Sequence, residues 1–150
     1  MRAVIQRCKK VELFIDNKIH GAIDIGLLVL LGVGNEDNMA DIEWLAGKIS
    51  RMRIFSDNEG KMNLSVQDIA GEILVVSQFT LFASTKKGNR PSYIDSAPPE
   101  KAIPLYENFV SRLKQESGVN VETGVFGADM SIYLINDGPV TIIIDSKSKE

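Results

Sequence analysis

The most confining stretch of this chain is Ile73-Leu74-Val75-Val76, four apolar residues in a row. An unbroken apolar run of this length reads as a strand buried on both faces. It continues into Ser77-Gln78-Phe79-Thr80-Leu81, and the strand is expected to carry on through Leu81. A buried strand should not end in two hydroxyls and an amide without partners, because each unpaired polar group costs about 1–3 kcal/mol. Either the fold satisfies them or a ligand does. A second polar interruption, Asn136-Asp137-Gly138-Pro139-Val140-Thr141, separates the apolar runs 132–135 and 142–144. Proline cannot donate to a sheet ladder, so a Gly-Pro here marks a break, an edge or a turn. X-Pro is also the linkage in which a cis bond is cheap. Two such interruptions, far apart in sequence, are expected of one composite site.

The rest of the chain supplies the frame. Residues 2–8 read as a strand and 11–15 as a second, with Asp16-Asn17-Lys18 as a hairpin turn. Residues 19–25 return as a third strand and 27–33 form a central one. Gly32-Val33-Gly34 lacks the glycine spacing and the Lys-Ser/Thr of a nucleotide loop, so it is a strand-to-helix turn. A helix is expected over 39–51, capped by Asp37 or Asn38, with Ile42, Leu45, Ala46 and Ile49 at helical spacing. Residues 53–55 read as a short strand. A second helix opens at Pro98-Pro99-Glu100 and runs to about Ser117, with Pro104 able to shift its start or kink it. Strands are then expected at 120–125, 130–135 and 140–144, followed by a frayed tail at 146–150. This order suggests one domain over 1–150, a mixed sheet against two main helices in the α/β or α+β range.

Charge and cysteine content bound the function. Net charge is −3, from 17 basic and 20 acidic side chains among 150 residues. That balance argues against broad binding along a nucleic acid backbone, which needs many phosphate contacts. It leaves room for gripping a short single-stranded end. One cysteine, Cys8, excludes an internal disulfide and fits a reducing cytoplasm. The first residues lack the apolar core of a signal peptide, and no apolar run approaches the length of a membrane span. The densest basic cluster is Lys86, Lys87 and Arg90, in the long loop after the polar strand end. It reads either as a solvated loop or as a phosphate contact.

The equipment for covalent ester cleavage is thin. Ser77 and Thr80 are hydroxyls in need of a base and an orienting group. The one histidine, His20, has no nucleophile or orienting acid near it in sequence and reads as a surface or structural residue. No cluster supports a metal, and no cofactor is expected. A substrate that brings its own reactivity resolves this. An activated ester with a neighbouring hydroxyl of its own would be such a substrate. The protein then needs only to position the ester and to offer fixed N–H donors to the developing oxyanion.

Ser77-Gln78-Phe79-Thr80-Leu81 together with Asn136-Asp137-Gly138-Pro139-Val140-Thr141 resembles the D-aminoacyl-tRNA deacylase family. The likeness extends through Met1-Arg2-Ala3-Val4, Gln6-Arg7, Lys61-Met62-Asn63-Leu64-Ser65, Lys87-Gly88-Asn89-Arg90-Pro91-Ser92 and Phe126-Gly127-Ala128-Asp129-Met130. It implies a mixed, mostly antiparallel sheet with two helices, a homodimer, and hydrolysis of D-amino acids from mischarged tRNA. It implies a catalytic site at Ser77, Gln78, Phe79 and Thr80. It further implies that Gly138-Pro139 is cis, enters the partner subunit's site and rejects L-aminoacyl-tRNA, with Arg7 holding that motif. Clearance of glycine mischarged on tRNA(Ala) belongs to the same expectation. The rival readings are an RNA 3′-end binding module without activity, built on Lys86, Lys87, Arg90 and Tyr93, and an esterase for small metabolites.

Overall fold

Asp16 and Asn17 both take positive φ, 51° and 60°, as the turn of a two-residue hairpin requires. They join β1 (Arg2–Ile15) to β2 (Lys18–Ile23). The structure, a computed structural model, describes residues 1–149. The elements that follow are β3 (Gly26–Gly32), α1 (Met39–Arg51), β4 (Phe55–Ser56), β5 (Met62–Leu64), β6 (Glu72–Ser77), α2 (Pro99–Ser117), β7 (Val121–Thr123) and β8 (Ser131–Asp145). A 3₁₀ turn at Phe79–Phe82 follows β6.

β1 is one strand where the sequence reads as two. Its register against β8 slips around Cys8, beside exposed Lys9 and Lys10. Such irregularities bend a strand without ending it. The bend lets one edge of β1 serve two neighbours. Residues 2–8 pair with β3 and residues 11–15 pair with β2, both antiparallel, while β8 runs along the opposite edge. β3 then pairs with β6, and β6 with β7, in parallel. β4 and β5 form a separate small ribbon.

The apolar runs of β3 and β6 are continuous because both of their faces are covered. Leu27, Val29, Leu31, Ile73 and Val75 join the core shared with Ile42, Leu45 and Ile49 of α1 and Phe109 and Leu113 of α2. The alternate residues Leu28, Leu74 and Val76 meet Cys8, Val11, Leu13 and Ile23, carried by the β1–β2 hairpin. α1 has the expected bounds. Asn38 caps it with its side chain, and Asp41 returns the bond to the Asn38 N–H. Asp37 instead accepts the Gly34 N–H at 2.6 Å. α2 passes through Pro104 and ends at Gly118, whose φ is 64°. Among the described residues no helix is long and apolar enough to cross a membrane.

The tail is not frayed where it can be seen. Ser146 is 3% exposed. Its hydroxyl donates to Asp41 Oδ1 at 2.7 Å and accepts from the Met1 amino group at 2.6 Å. Lys147 Nζ reaches Asp41 Oδ2 at 2.7 Å. Polar partners, rather than an apolar pattern, hold this segment down. Glu150, part of the expected frayed tail, lies outside the described residues.

Burial works against a charge on Asp41. The Lys147 ammonium, the Ser146 hydroxyl, the Asn38 N–H and the Met1 amino group outweigh it and hold the carboxyl at about 2, against an ordinary 3.8. A carboxyl whose folded pKa is depressed adds stability above its unfolded pKa and loses it as pH falls through the folded one. The shift corresponds to roughly 2 kcal/mol, lost between about pH 4 and pH 2. Urea unfolding at stepped pH should show this acid limb. In Asp41→Asn the limb should flatten, and an unchanged limb would assign it to other carboxylates.

Candidate active site

β6 ends at Ser77, four residues short of the expected strand end. The last ladder contact is the Gln78 N–H donating to Leu31 O at 2.7 Å. Gln78 leaves the sheet with φ −142° and ψ 81°, and the chain tightens into the 3₁₀ turn. Leu81 N–H then bonds Gln78 O at 3.2 Å, and Ala83 N–H bonds Thr80 O at 3.0 Å. The first N–H groups of such a turn have no acceptor within it. The amides of Phe79 and Thr80 are those groups. No backbone or side-chain acceptor for either is found among the described residues.

The three polar side chains of the strand end differ in placement. Ser77 and Gln78 line a cavity of about 310 Å³ with Phe79. Thr80 stands outside that wall, and its hydroxyl accepts from the Gln78 amide. Phe79 is exposed and meets Tyr93 edge-on, with ring centroids 5.1 Å apart. Phe126, Asp129 and Met130 line the same cavity. Composition and spacing carry no chemical signal for those three. His20 is exposed and does not line the cavity.

One buried and one part-buried contact fix this strand end. The Tyr106 hydroxyl on α2 donates to Val75 O at 2.9 Å, two residues before Ser77. Burial pushes that hydroxyl up to about 12, so it stays a neutral donor. The Tyr106 ring also meets Phe126 edge-on at 6.1 Å. On the other side, Arg2 Nη1 donates to Leu81 O at 3.1 Å, while its Nε holds Asp145 at 2.7 Å. The Arg2 guanidinium lies 4.6 Å from the centre of the Phe82 ring. The 3₁₀ turn is therefore clasped at its C-terminal end.

The second stretch does not meet the first within one chain. β8 is a single strand with an excursion in it, not two strands. Gln6 pairs with Thr141 and Cys8 with Asn136, which leaves residues 137–140 unpaired opposite Arg7 alone, with Gly138 and Pro139 exposed and Val140 turned back into the main core. The Gly138-Pro139 bond is cis. Arg7 Nε donates to Asp137 O at 2.9 Å and pairs with Asp137 Oδ2 at 3.1 Å, and Nη1 donates to Ile54 O. β1 and β3 stand between this excursion and β6. At about 4.8 Å per strand, three spacings put it about 14 Å to the side of β6. Arg7 and Asp137 line a different cavity, of about 610 Å³, with Phe55, Gly71 and Glu72.

Lys86, Lys87 and Arg90 sit on the loop between the 3₁₀ turn and α2. Ser84 and Ser92 exchange two backbone bonds, at 2.8 and 2.9 Å, and pinch residues 85–91 into a small arm. The three basic side chains are exposed, with no acidic partner within 4.0 Å among the described residues. No group of three or more His, Cys, Asp or Glu able to hold a metal ion occurs among the described residues.

Comparison with known proteins agrees with this architecture. Residues 4–145 match the family described as D-Tyr-tRNA(Tyr) deacylase. A D-aminoacyl-tRNA deacylase of Flavobacterium psychrophilum is 61% identical over 150 residues, covering all of both chains. That of Cytophaga hutchinsonii is 59% identical over the same span. That of Thermotoga petrophila is 56% identical over 146 residues, 97% of each chain. A solved structure titled c-Myc DNA Unwinding Element Binding Protein superposes with a TM-score of 0.90 at 38% identity, covering 97% of this chain and 98% of its own. A probable eukaryotic D-amino acid tRNA deacylase shares the fold, with a TM-score of 0.79 at 18% identity over 95% of this chain and 97% of its own. The chain belongs to the D-Tyr-tRNA(Tyr) deacylase family.

Proposed function

We propose that this protein hydrolyses the ester of D-aminoacyl-tRNA, freeing the D-amino acid and the tRNA, in the cavity at the end of β6. Family membership makes it a hydrolase of ester bonds. The observation that carries the reading is the unbonded Phe79 amide at a cavity lined by Ser77, Gln78 and Phe79, followed in the 3₁₀ turn by the unbonded Thr80 amide. Two main-chain donors suit an oxyanion that forms when water adds to the ester carbonyl. The ribose 2′-hydroxyl of the substrate supplies the proton handling that no imidazole at this cavity offers. Ser77 then helps to position the substrate, Thr80 holds the Gln78 amide, and neither attacks the ester.

Selection of the hand falls to Gly138-Pro139, reaching into the site of a second copy of the chain. β8 is an edge strand, paired only with β1. Tyr133, Ile135 and Ile143 flank its excursion and are 65%, 56% and 74% exposed, which supports a two-fold assembly through this face. A filter made of main chain excludes a side chain on the wrong side of Cα without reading its identity. Glycine has no side chain to exclude, so glycine mischarged on tRNA(Ala) is cleared as well. Sparing L esters 10³-fold needs about 4 kcal/mol.

The deciding assay compares purified protein on matched D- and L-tyrosyl-tRNA and on a simple D-tyrosine ester, with assembly followed by sedimentation. Rapid, hand-selective turnover of the tRNA ester is expected. Binding without turnover would make the chain an RNA-binding module, and equal turnover of the simple ester would make it a general esterase. A fully active monomer would remove the cross-subunit part alone.

Two substitutions probe the chemistry. Thr80→Ala and Ser77→Ala should each lower kcat by about tenfold or less, since neither is the nucleophile. A loss of about 10⁴-fold with the fold intact, or a trapped acyl-enzyme, would restore covalent catalysis. Replacing Lys86, Lys87 and Arg90 together should weaken tRNA binding and reduce its salt slope by about 2, at about 0.7 per single-strand phosphate contact. An unchanged slope would move the phosphate contacts elsewhere.

A further inference from the structure

We propose that Gln6 is a specificity-determining positioning residue, whose side-chain amide closes the neck of the 137–140 excursion and thereby aims Gly138-Pro139. This rests on the reading of that pair as the filter for hand. An excursion of four residues opposite one has lost its ladder bonds, and its aim depends on what joins its two legs. Arg7 holds only the first leg, through Asp137. Gln6 spans both.

The amide is oriented by chemistry. The carbonyl of Val140 can only accept, so Gln6 Nε2 faces it, at 3.1 Å. Gln6 Oε1 then accepts from the Thr141 hydroxyl at 2.6 Å. The same nitrogen donates to Asn136 Oδ1 on the first leg. With its oxygen turned to Gln6, Asn136 presents its own nitrogen to Gly138. A Cβ added at Gly138 would lie 2.6 Å from Asn136 Nδ2. One side chain thus ties residues 136, 140 and 141 together and seats the Asn136 amide beneath Gly138.

The test is the ratio of kcat/KM for L- against D-tyrosyl-tRNA in Gln6→Ala and Gln6→Glu, with Arg7→Ala in parallel. Gln6→Glu keeps the size of the side chain but turns acceptors toward Val140 O and Asn136 Oδ1, so its effect should exceed that of Gln6→Ala. The expected result is a tenfold or larger rise in the L/D ratio for Gln6→Ala and a larger one for Gln6→Glu. A ratio within twofold of wild type, or an equal fall for both hands, overturns the proposal and leaves Gln6 a structural residue. If Gln6→Ala does not fold, Gln6→Glu decides on the same ratio. Relaxed selectivity in Arg7→Ala but not in the Gln6 variants would defeat the role of Gln6 while keeping the filter. No change in any of the three would defeat the filter itself.

Discussion

Changing Arg7 to alanine should speed hydrolysis of an L-aminoacyl ester on tRNA roughly 10- to 100-fold relative to its D counterpart. The guanidinium is largely buried, at 12% side-chain exposure, and holds both the carbonyl and the carboxylate of Asp137. Charge-assisted bonds of this kind contribute about 1.5–3 kcal/mol, and each 1.36 kcal/mol is tenfold in rate. Without them Asp137 keeps a half-buried charge with no partner, and the excursion beside it loses its anchor. Arg7→Lys should fall between, because an ammonium cannot span two acceptors with a planar fork. Single-turnover rates on matched D- and L-tyrosyl-tRNA give the ratio directly. A folded Arg7→Ala protein that still spares the L ester at wild-type stringency would falsify the assignment of selectivity to residues 137–140.

The largest effect on stability is expected at Gly26. This residue begins β3 and pairs with Glu72 at the start of β6. A Cβ there would fall inside van der Waals contact of the Glu72 carbonyl oxygen, with the Glu72 carbonyl carbon at 2.7 Å and nitrogen at 2.8 Å. These are backbone atoms, so no rotamer change can give way. Gly26→Ala must push apart the parallel pair between the two buried cores. Overpacking typically costs about 1–3 kcal/mol and occasionally more; a backbone clash belongs at the upper end. At about 2–4 °C per kcal/mol for a domain of this size, Tm should drop by roughly 6–12 °C. A variant melting within about 2 °C of wild type would show that the two strands can separate at little cost.

The parts of this fold that follow local rules were legible. The helix at Met39–Arg51 announces itself by its apolar spacing and by the capping side chains before it, of which Asn38 makes the cap. The turn at Asp16-Asn17 and the doubly covered run at 73–76 are equally local signals. What the sequence concealed depends on partners far away. β1 looks broken at Lys9-Lys10 because exposed lysines interrupt its pattern, yet β8 follows it past the bulge. β8 looks broken at Gly138-Pro139 for a similar reason. Residues 79–81 look like more strand because an apolar-polar alternation is shared by strand and 3₁₀ turn over so few positions. The tail looks loose because Ser146 is buried by hydrogen bonds to Asp41 and Met1, which no apolar periodicity records. The candidate site was legible as two stretches. Their separation within one chain was not, because strand order is set by pairing across the whole chain.

The excursion in β8 also bears on how the protein can change in length. A strand paired along its whole run cannot gain or lose one residue without turning every later side chain to the other face. Here Gln6 pairs with Thr141 and Cys8 with Asn136, and the residues between them owe nothing to the ladder. Insertions or deletions confined to 137–139, short of Val140 in the main core, can therefore alter the reach of this protrusion while the legs on both sides keep their faces. The same change at 133 or 143 would scramble the sheet. Length variation is insulated at one place in the longest strand of the fold, and that place is the one that projects from it.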